Sequence, residues 1–471
     1  MRFGERFYKM VKKYDVIIVG AGPAGIFCAL ELLRLGNFDV LILDKGKPLE
    51  SRKCPSPKGN CLKCKPCSVL SGWGGAGAFS DGKLTISTEV GGWLSELIPK
   101  NKLERLVSKV DETYIKFGAP KDLYGGDEEK VAEIAQRAIK ADLLLVPTRI
   151  RHMGSEVCPD VLKEMYSELE GKVEILMETE VEDIRTKGGR VTGLVTSQGE
   201  NIGCKYLVVA PGRSGAEWLS RVAGKIGLTM ENNMVDVGVR VEVPAPVMEP
   251  LTSELYEPKL IYFSRSSEDR VRTFCMNPNG EVIREYYDDV LTVNGHSYAS
   301  RKTENTNFAL LVDKRFTEPF REPISYGRYI ARLANLLGDG IIVQRLGDLL
   351  AGRRSNQRRM ERSTVKPTLI DATPGDLSLV LPFRYLSSIL EMLYAMNQIA
   401  PGVFSRNTLL YGVEVKFYSS RLKLSRTLET EVENLFGAGD GVGISRGLVQ
   451  SSASGLLAAR SIIEREKRRS R

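Results

Sequence analysis

Histidine is nearly missing from this 471-residue chain, with His152 and His296 the only two. A centre built on several imidazoles is thereby excluded, and neither histidine stands in a recognisable Ser–His–Asp arrangement. No apolar run approaches the roughly 18 residues that a membrane-spanning helix needs. The basic start, residues 1–7, is followed by a strand pattern rather than by the apolar stretch of a secretory signal, so a cytoplasmic location is expected. Internal repeats, low-complexity tracts, P-loops and kinase signatures are also missing. Net charge is small for the size of the chain: 67 Lys and Arg against 59 Asp and Glu give +8. Much of the excess sits in residues 352–362 and 465–471, where no interleaved aromatics could stack bases. These segments read as solvated or internally paired, with attraction of an anionic substrate or partner as the functional alternative. Nucleic acid is not an expected partner.

The chain does have glycine in a telling place. The apolar run Tyr14-Asp15-Val16-Ile17-Ile18-Val19 leads into Gly20-Ala21-Gly22-Pro23-Ala24-Gly25, and a helical pattern follows. In such a turn Gly20 allows the tight bend, Gly22 lets backbone approach a pyrophosphate, and Gly25 lets helix and strand pack closely. The free N–H groups and partial positive charge of the helix start favour an anion there. A second strand, Val40-Leu41-Ile42-Leu43, ends in Asp44, 19 residues beyond Gly25, where an acid would accept the ribose hydroxyls, with Lys45 beside it. Two later motifs choose FAD over NAD. Asn434-Leu435-Phe436-Gly437-Ala438-Gly439-Asp440 is similar to the strand of FAD enzymes whose terminal acid bonds the ribityl chain. The small-residue helix that starts at Gly447-Leu448-Val449 would then point its amino end at the flavin. Tyr206-Leu207-Val208-Val209-Ala210-Pro211-Gly212 reads as the strand that returns chain to the same domain, and Val181, in the preceding segment, joins the cofactor set.

The expected fold is α/β: a Rossmann-like FAD-binding domain of three layers, with a parallel sheet plus an antiparallel meander, carrying an inserted α+β substrate domain. The meander is expected over residues 173–209, broken by turns near 187–190 and 198–201. A helical segment is expected over 94–140, and a helix over 160–169 with Pro159 in its first turn and Ser155 as a capping candidate. The FAD-binding domain would take residues 1–233, including a Cys/Pro/Lys/Gly-rich loop at 46–70, and again 408–471. The inserted domain would take 234–407, with helices near 326–337 and 385–398.

Cys54, Cys61, Cys64 and Cys67 fall as C-x6-C-x2-C-x2-C. Two-residue spacing lets thiolates converge, and four suffice for zinc or an iron–sulfur cluster. Zinc sites more often use two widely separated CxxC pairs, so the iron–sulfur reading fits better; disulfides and free thiols are the competing readings. Cys28, Cys158, Cys204 and Cys275 stand singly and read as core thiols.

Gly74-Gly75-Ala76-Gly77-Ala78-Phe79-Ser80-Asp81-Gly82-Lys83-Leu84 resembles a family of uncharacterised FAD-dependent dehydrogenases of the two-dinucleotide-binding-domain type. The resemblance continues at Cys275-Met276-Asn277, Asn294-Gly295-His296, Leu346-Gly347-Asp348, Ala351-Gly352-Arg353-Arg354 and Gly412-Val413-Glu414. It implies that Gly74, Gly75 and Ala76 lie against the isoalloxazine. Arg446 departs from the family, which has a small residue there.

Two residues are candidates for catalysis: His296 as a general acid in the inserted domain, and Lys83, which with Asp81 would polarise the flavin edge. His152 reads equally as a backbone-orienting group. The expected function is an FAD-dependent oxidoreductase that passes a hydride or electrons between a small molecule and flavin. NAD(P)H would be a transient donor, since no second GxGxxG exists, and an electron-transfer partner is conceivable through the cysteines. The alternatives are a sensing flavoprotein module with a structural metal or redox loop, and an RNA-modifying flavoenzyme.

Overall fold

The computed structural model describes residues 12–55, 61–231, 234–287, 289–298, 301–314, 322–417 and 420–470. The basic start at 1–7 and part of the cysteine loop, 56–60, lie outside them.

Two sheets organise the chain. The first has strands Glu174–Leu176, Val40–Leu43, Lys13–Val19 and Asn201–Val209 in parallel, and Arg190–Thr196 and Val181–Lys187 in antiparallel continuation. Asn201–Val209 divides its outer edge: its first half pairs with the meander strand Arg190–Thr196, and its second half pairs in parallel with Leu435–Gly437. The fold class is therefore the expected mixed α/β type. One detail differs: Glu174–Leu176, expected in the meander, belongs to the parallel part. Val16, Ile17, Ile18, Leu41, Leu207 and Val208 are fully buried against helices Pro23–Leu35 and Gly447–Arg469. Both faces of these strands are covered, which is why they read as continuous apolar runs rather than alternating ones.

The second sheet has eight strands, in the order Thr373–Pro374, Ile342–Arg345, Leu409–Phe417, Val235–Pro244, Asn305–Lys314, Arg270–Asn277, Lys259–Phe263 and Leu144–Val146. Its membership departs from the expected division at residue 407. Leu409–Phe417 lies centrally in this sheet, and Leu144–Val146 joins its edge from the first part of the chain. Helices Pro323–Gly338 and Phe383–Met396 cover one face, close to the positions expected. The earlier helical segment is split into Leu94–Leu97, Lys100–Lys116 and Glu128–Lys140, the last capped by Asp127. The helix expected from 160 starts at Gly154, with Pro159 inside it and no capping bond from Ser155. Among the described residues no helix is long and apolar enough to cross a membrane.

The central strand Val235–Pro244 alternates valine with Asp236, Gly238, Arg240 and Glu242, and everything from 235 to 243 is buried. Alternation of that kind normally marks a strand with one wet face. Here the valines face the helices, while the polar face is closed by the hairpin Glu281–Tyr287 and Val290–His296. Buried polar groups must then satisfy one another, and Arg240 does so completely. Its Nε and Nη2 donate to both oxygens of Glu414 (2.7 and 3.0 Å), Nη1 to Cys275 O (2.9 Å) and Asn307 Oδ1 (2.7 Å), and Nη2 also to Asn294 Oδ1 (3.3 Å). Both ends of the Arg240–Glu414 pair are 0% exposed. Replacing Arg240 by Met would leave Glu414 buried with only Lys416 to balance it, at 3.2 Å. The expected loss is about 3–5 kcal/mol in denaturant unfolding, with a clear recovery when Glu414→Leu is added.

Candidate functional site

A cavity of about 1210 Å³ opens between the carboxyl ends of the first sheet's strands and the second sheet. That is where an α/β sheet of this kind offers a ligand crevice. One wall carries most of the residues singled out from sequence: Gly20, Gly22, Pro23, Ala24, Asp44, Lys45, Gly75, Ala76, Val181, Ala210, Gly212, Gly439, Asp440, Gly447, Leu448 and Val449. Gly25 and Gly74 do not line it. A Cβ on Gly25 would strike Gly20 O at 1.9 Å, and one on Gly74 would strike Leu162 Cδ1 at 2.4 Å, so both are bare for internal packing.

Gly22 is different. Its φ is −80°, open to any residue, and a methyl group there would meet no protein atom nearer than Gly75 Cα at 3.9 Å. Nothing in the protein itself requires this glycine; the space it leaves belongs to the cavity. Helix Pro23–Leu35 begins beside it with no side-chain cap and no acid in its first turn, leaving its amino end available to an anion. This cradle fits a dinucleotide pyrophosphate.

Asp44 has more to do than the ribose contact expected of it. Oδ2 accepts Ala21 N–H (2.9 Å), and Oδ1 accepts Gly46 N–H and Gly72 N–H (2.8 Å each), so the carboxylate ties three loops of this wall together. Lys45 Nζ donates to Ser214 O at 3.0 Å. Asp440 accepts Ser445 Oγ–H at 3.1 Å, and burial raises its pKa although Arg213 pulls the other way. Gln450 donates to Ser87 O at 3.0 Å, while its buried Oε1, in the cavity lining, has no partner.

Of the two catalytic candidates, only Lys83 reaches the cavity. Its ammonium is 2.8 Å from Asp81, 2.7 Å from Met276 O and 2.9 Å from Asn277 Oδ1, which accounts for its three protons. Burial disfavours that charge, but Asp81 leads the neighbours that raise the pKa above the usual lysine value. Lys83 is a fixed cation, not a proton donor. His296 does not line the cavity, although the charges of Asp81 and Lys83 still act on its ring. It ends a hairpin strand opposite Glu281 and stacks edge-on against Tyr298 at 4.5 Å, outside the cavity lining. His152 sits opposite Lys83 in a two-stranded pair, and its Nε2 lies 3.2 Å from Tyr256 Oη, which in turn is 3.1 Å from Ser297 Oγ. Burial lowers the pKa of both histidines.

The structure does not support the metal reading of the cysteine loop. Cys54, Cys61, Cys64 and Cys67 are free thiols, and among the described residues no three His, Cys, Asp or Glu side chains are arranged to hold a metal. The loop is organised around Arg52 instead, which donates to Ser68 O (2.9 Å), Val69 O (2.9 Å) and Trp73 O (2.5 Å). Backbone carbonyls around a guanidinium, not thiolates around an ion, set its course.

Sequence reading missed the opposite wall, where Lys259, Arg272 and Lys416 surround the Phe274 ring at 5.6, 4.9 and 5.9 Å. Each cation has a carboxylate: Lys259 with Glu257, Arg272 with Asp313 (2.9 Å) and Asp236, Lys416 with Glu285 (2.8 Å). Arg446 caps the C-terminal helix over the Trp93 ring at 4.5 Å, and burial pushes its pKa down to about 9. Arg213 also lines the cavity; its place just after the Gly212 turn, at the end of a parallel strand, was the available signal.

A family described as "FAD binding domain" matches residues 13–287, and one described as "FAD-dependent protein, C-terminal domain-like" matches residues 235–417. An uncharacterized protein of Clostridium beijerinckii is 28% identical, over 95% of this chain and 80% of its own length. Among solved structures, glycine oxidase from Geobacillus kaustophilus has a TM-score of 0.39 at 15% identity, covering 97% of this chain and 95% of that one. L-proline dehydrogenase from P. horikoshii has a TM-score of 0.42 at 12% identity, covering 97% and 94%. Likenesses of that size carry no argument about substrate.

Two outcomes are expected. Gly22→Val should keep the parent's thermal transition and lose most bound FAD, whereas Gly25→Val should lower the transition itself. Changing all four loop cysteines to serine should leave FAD content and melting temperature unaltered, and metal analysis of the parent should find no stoichiometric zinc or iron.

Proposed function

The chain belongs to the FAD binding domain family, and we propose that this FAD-dependent oxidoreductase passes a hydride or electrons between a small anionic molecule and flavin. The observation that carries the reading is the single cavity lining shared by two dissimilar walls: a glycine-lined cradle with Gly22 bare toward it, and a charged wall from the second sheet. FAD, when bound, supplies the hydride and electron chemistry.

The residues supply holding and electrostatics. The Gly20–Gly25 turn and the helix start behind it would receive the pyrophosphate. Asp44, Lys45, Val181, Ala210 and Gly212 would serve one half of the dinucleotide, and Gly75, Ala76, Gly439, Asp440, Gly447, Leu448 and Val449 the other. The amino end of helix Gly447–Arg469 offers a positive dipole to charge that develops beside it. Lys83 holds a fixed positive charge on the cavity wall, locked by Asp81. Proton traffic would fall to other groups, and His152, kept neutral by burial and bonded to Tyr256, is better placed beside Lys83 than His296 is.

The test is direct. Purified protein, reconstituted if necessary, should hold one FAD per chain. Under anaerobic conditions at least one small organic anion, or NADH or NADPH, should bleach the flavin, and an acceptor should restore it. Protein that takes up no FAD, or FAD that no such donor reduces, would sink the proposal.

A further inference from the structure

The cations that line the cavity are committed, with one exception. Lys45 donates a hydrogen bond to Ser214 O, Lys83 is held by Asp81, Lys416 by Glu285, and Arg272 by Asp313. Arg213 lines the same space and, among the described residues, makes neither a hydrogen bond nor an ion pair. Its charge is secure, since the carboxylates of Asp440 and Glu285 nearby raise its pKa. Neither carboxylate forms an ion pair with Arg213. Asp440 is engaged by Ser445, and Glu285 is neutralised by Lys416 at 2.8 Å. Its side chain is exposed to the open cavity, so the five N–H donors of its planar fork are presented to a ligand rather than spent on the protein.

We infer that Arg213 anchors a carboxylate of the substrate in a bidentate pair. The inference rests on the function proposed above and narrows it to carboxylate-bearing small molecules. The fork geometry matches a carboxylate or a phosphate oxyanion. The dinucleotide's own pyrophosphate is the competing source of such an oxyanion, but the bare Gly22 and the uncapped helix start already provide for it. The groups that act most strongly on Arg213 are instead Asp440 and, from the second sheet's hairpin, Glu285 and Tyr287. That places the guanidinium where the two walls meet, with Lys259, Arg272 and Lys416 adding positive potential around Phe274.

The experiment uses FAD-loaded protein and three probes: benzoate, succinate and the uncharged benzamide. Binding is measured by equilibrium dialysis, alongside the flavin absorption spectrum. At least one carboxylate should bind saturably and benzamide should not. Arg213→Met should weaken that carboxylate by at least about tenfold with FAD content unchanged, since a charge-assisted pair is lost. Arg213→Lys should recover only part of the loss, because an ammonium keeps the charge without the fork. Among the described residues Arg213 makes no side-chain hydrogen bond or ion pair, so both variants should fold.

FAD-loaded protein that binds neither carboxylate overturns the anchor and leaves the oxidoreductase reading standing. So does equal binding of benzamide, or undiminished carboxylate binding by Arg213→Met. Loss of FAD from Arg213→Met in step with carboxylate binding assigns the arginine to the cofactor's phosphates, which also overturns it. Protein that takes up no FAD at all overturns both readings together.

Discussion

Burying a guanidinium without losing its hydrogen bonds is the constraint on which the second half of this molecule depends. Arg240 finds acceptors on three neighbouring strands of its sheet and on the hairpin above it. A one-residue slip of Leu409–Phe417 would turn Glu414 to the valine face and bury an unbalanced charge on both sides. Correct register is therefore enforced by electrostatics as well as by the apolar core. The same register fixes Lys416, two residues beyond Glu414 and so on the same face, against Glu285 at the cavity. Core charge and site charge are one continuous network, so the wall that faces the ligand inherits its rigidity from the middle of the sheet.

The first wall works on another principle. Asp44 collects a backbone N–H from its own loop and two more from the loops at Ala21 and Gly72, and Arg52 collects three carbonyls. Between them, two side chains of opposite sign hold irregular backbone in place without secondary structure. Among the glycines of the turn, Gly22 is left without a packing duty. Gly22 can be shaped by its ligand alone.

What was legible in the sequence followed the range of the interactions involved. The strand, turn, helix and second strand around Gly20–Gly25 lie within about thirty consecutive residues, and their spacing states their geometry. Asp440 and the helix behind it were legible for the same reason. The opposite wall was not, because Glu257 comes from a loop and Arg272, Glu285 and Lys416 from separate strands whose neighbours only the fold decides. Several segments that carried the family resemblance proved to be parts of buried ion networks: Glu414 and Asn294 serve Arg240, and Asp348 accepts Arg353 at 3.0 Å. Their patterns had seemed to speak for the flavin. For the cysteines, close spacing suggested convergence, whereas the contacts that organise the loop gather its carbonyls on Arg52. His296 drew attention as one of only two histidines, while hairpin register turned it toward Tyr298.

The shared edge of Asn201–Val209 has a consequence for how this protein is made. Its first half is covered by the meander strand immediately before it, but Leu207, Val208 and Val209 wait for Leu435–Gly437, more than two hundred residues downstream. On a ribosome that edge stays open while the whole second sheet is synthesised, a long-range closure of the slow kind and an exposed strand in the interim. Gly439 and Asp440 arrive with the strand that closes it. The cofactor cradle is thus finished only once residues 435–440 have emerged, and a nascent chain cannot be loaded before that edge is sealed.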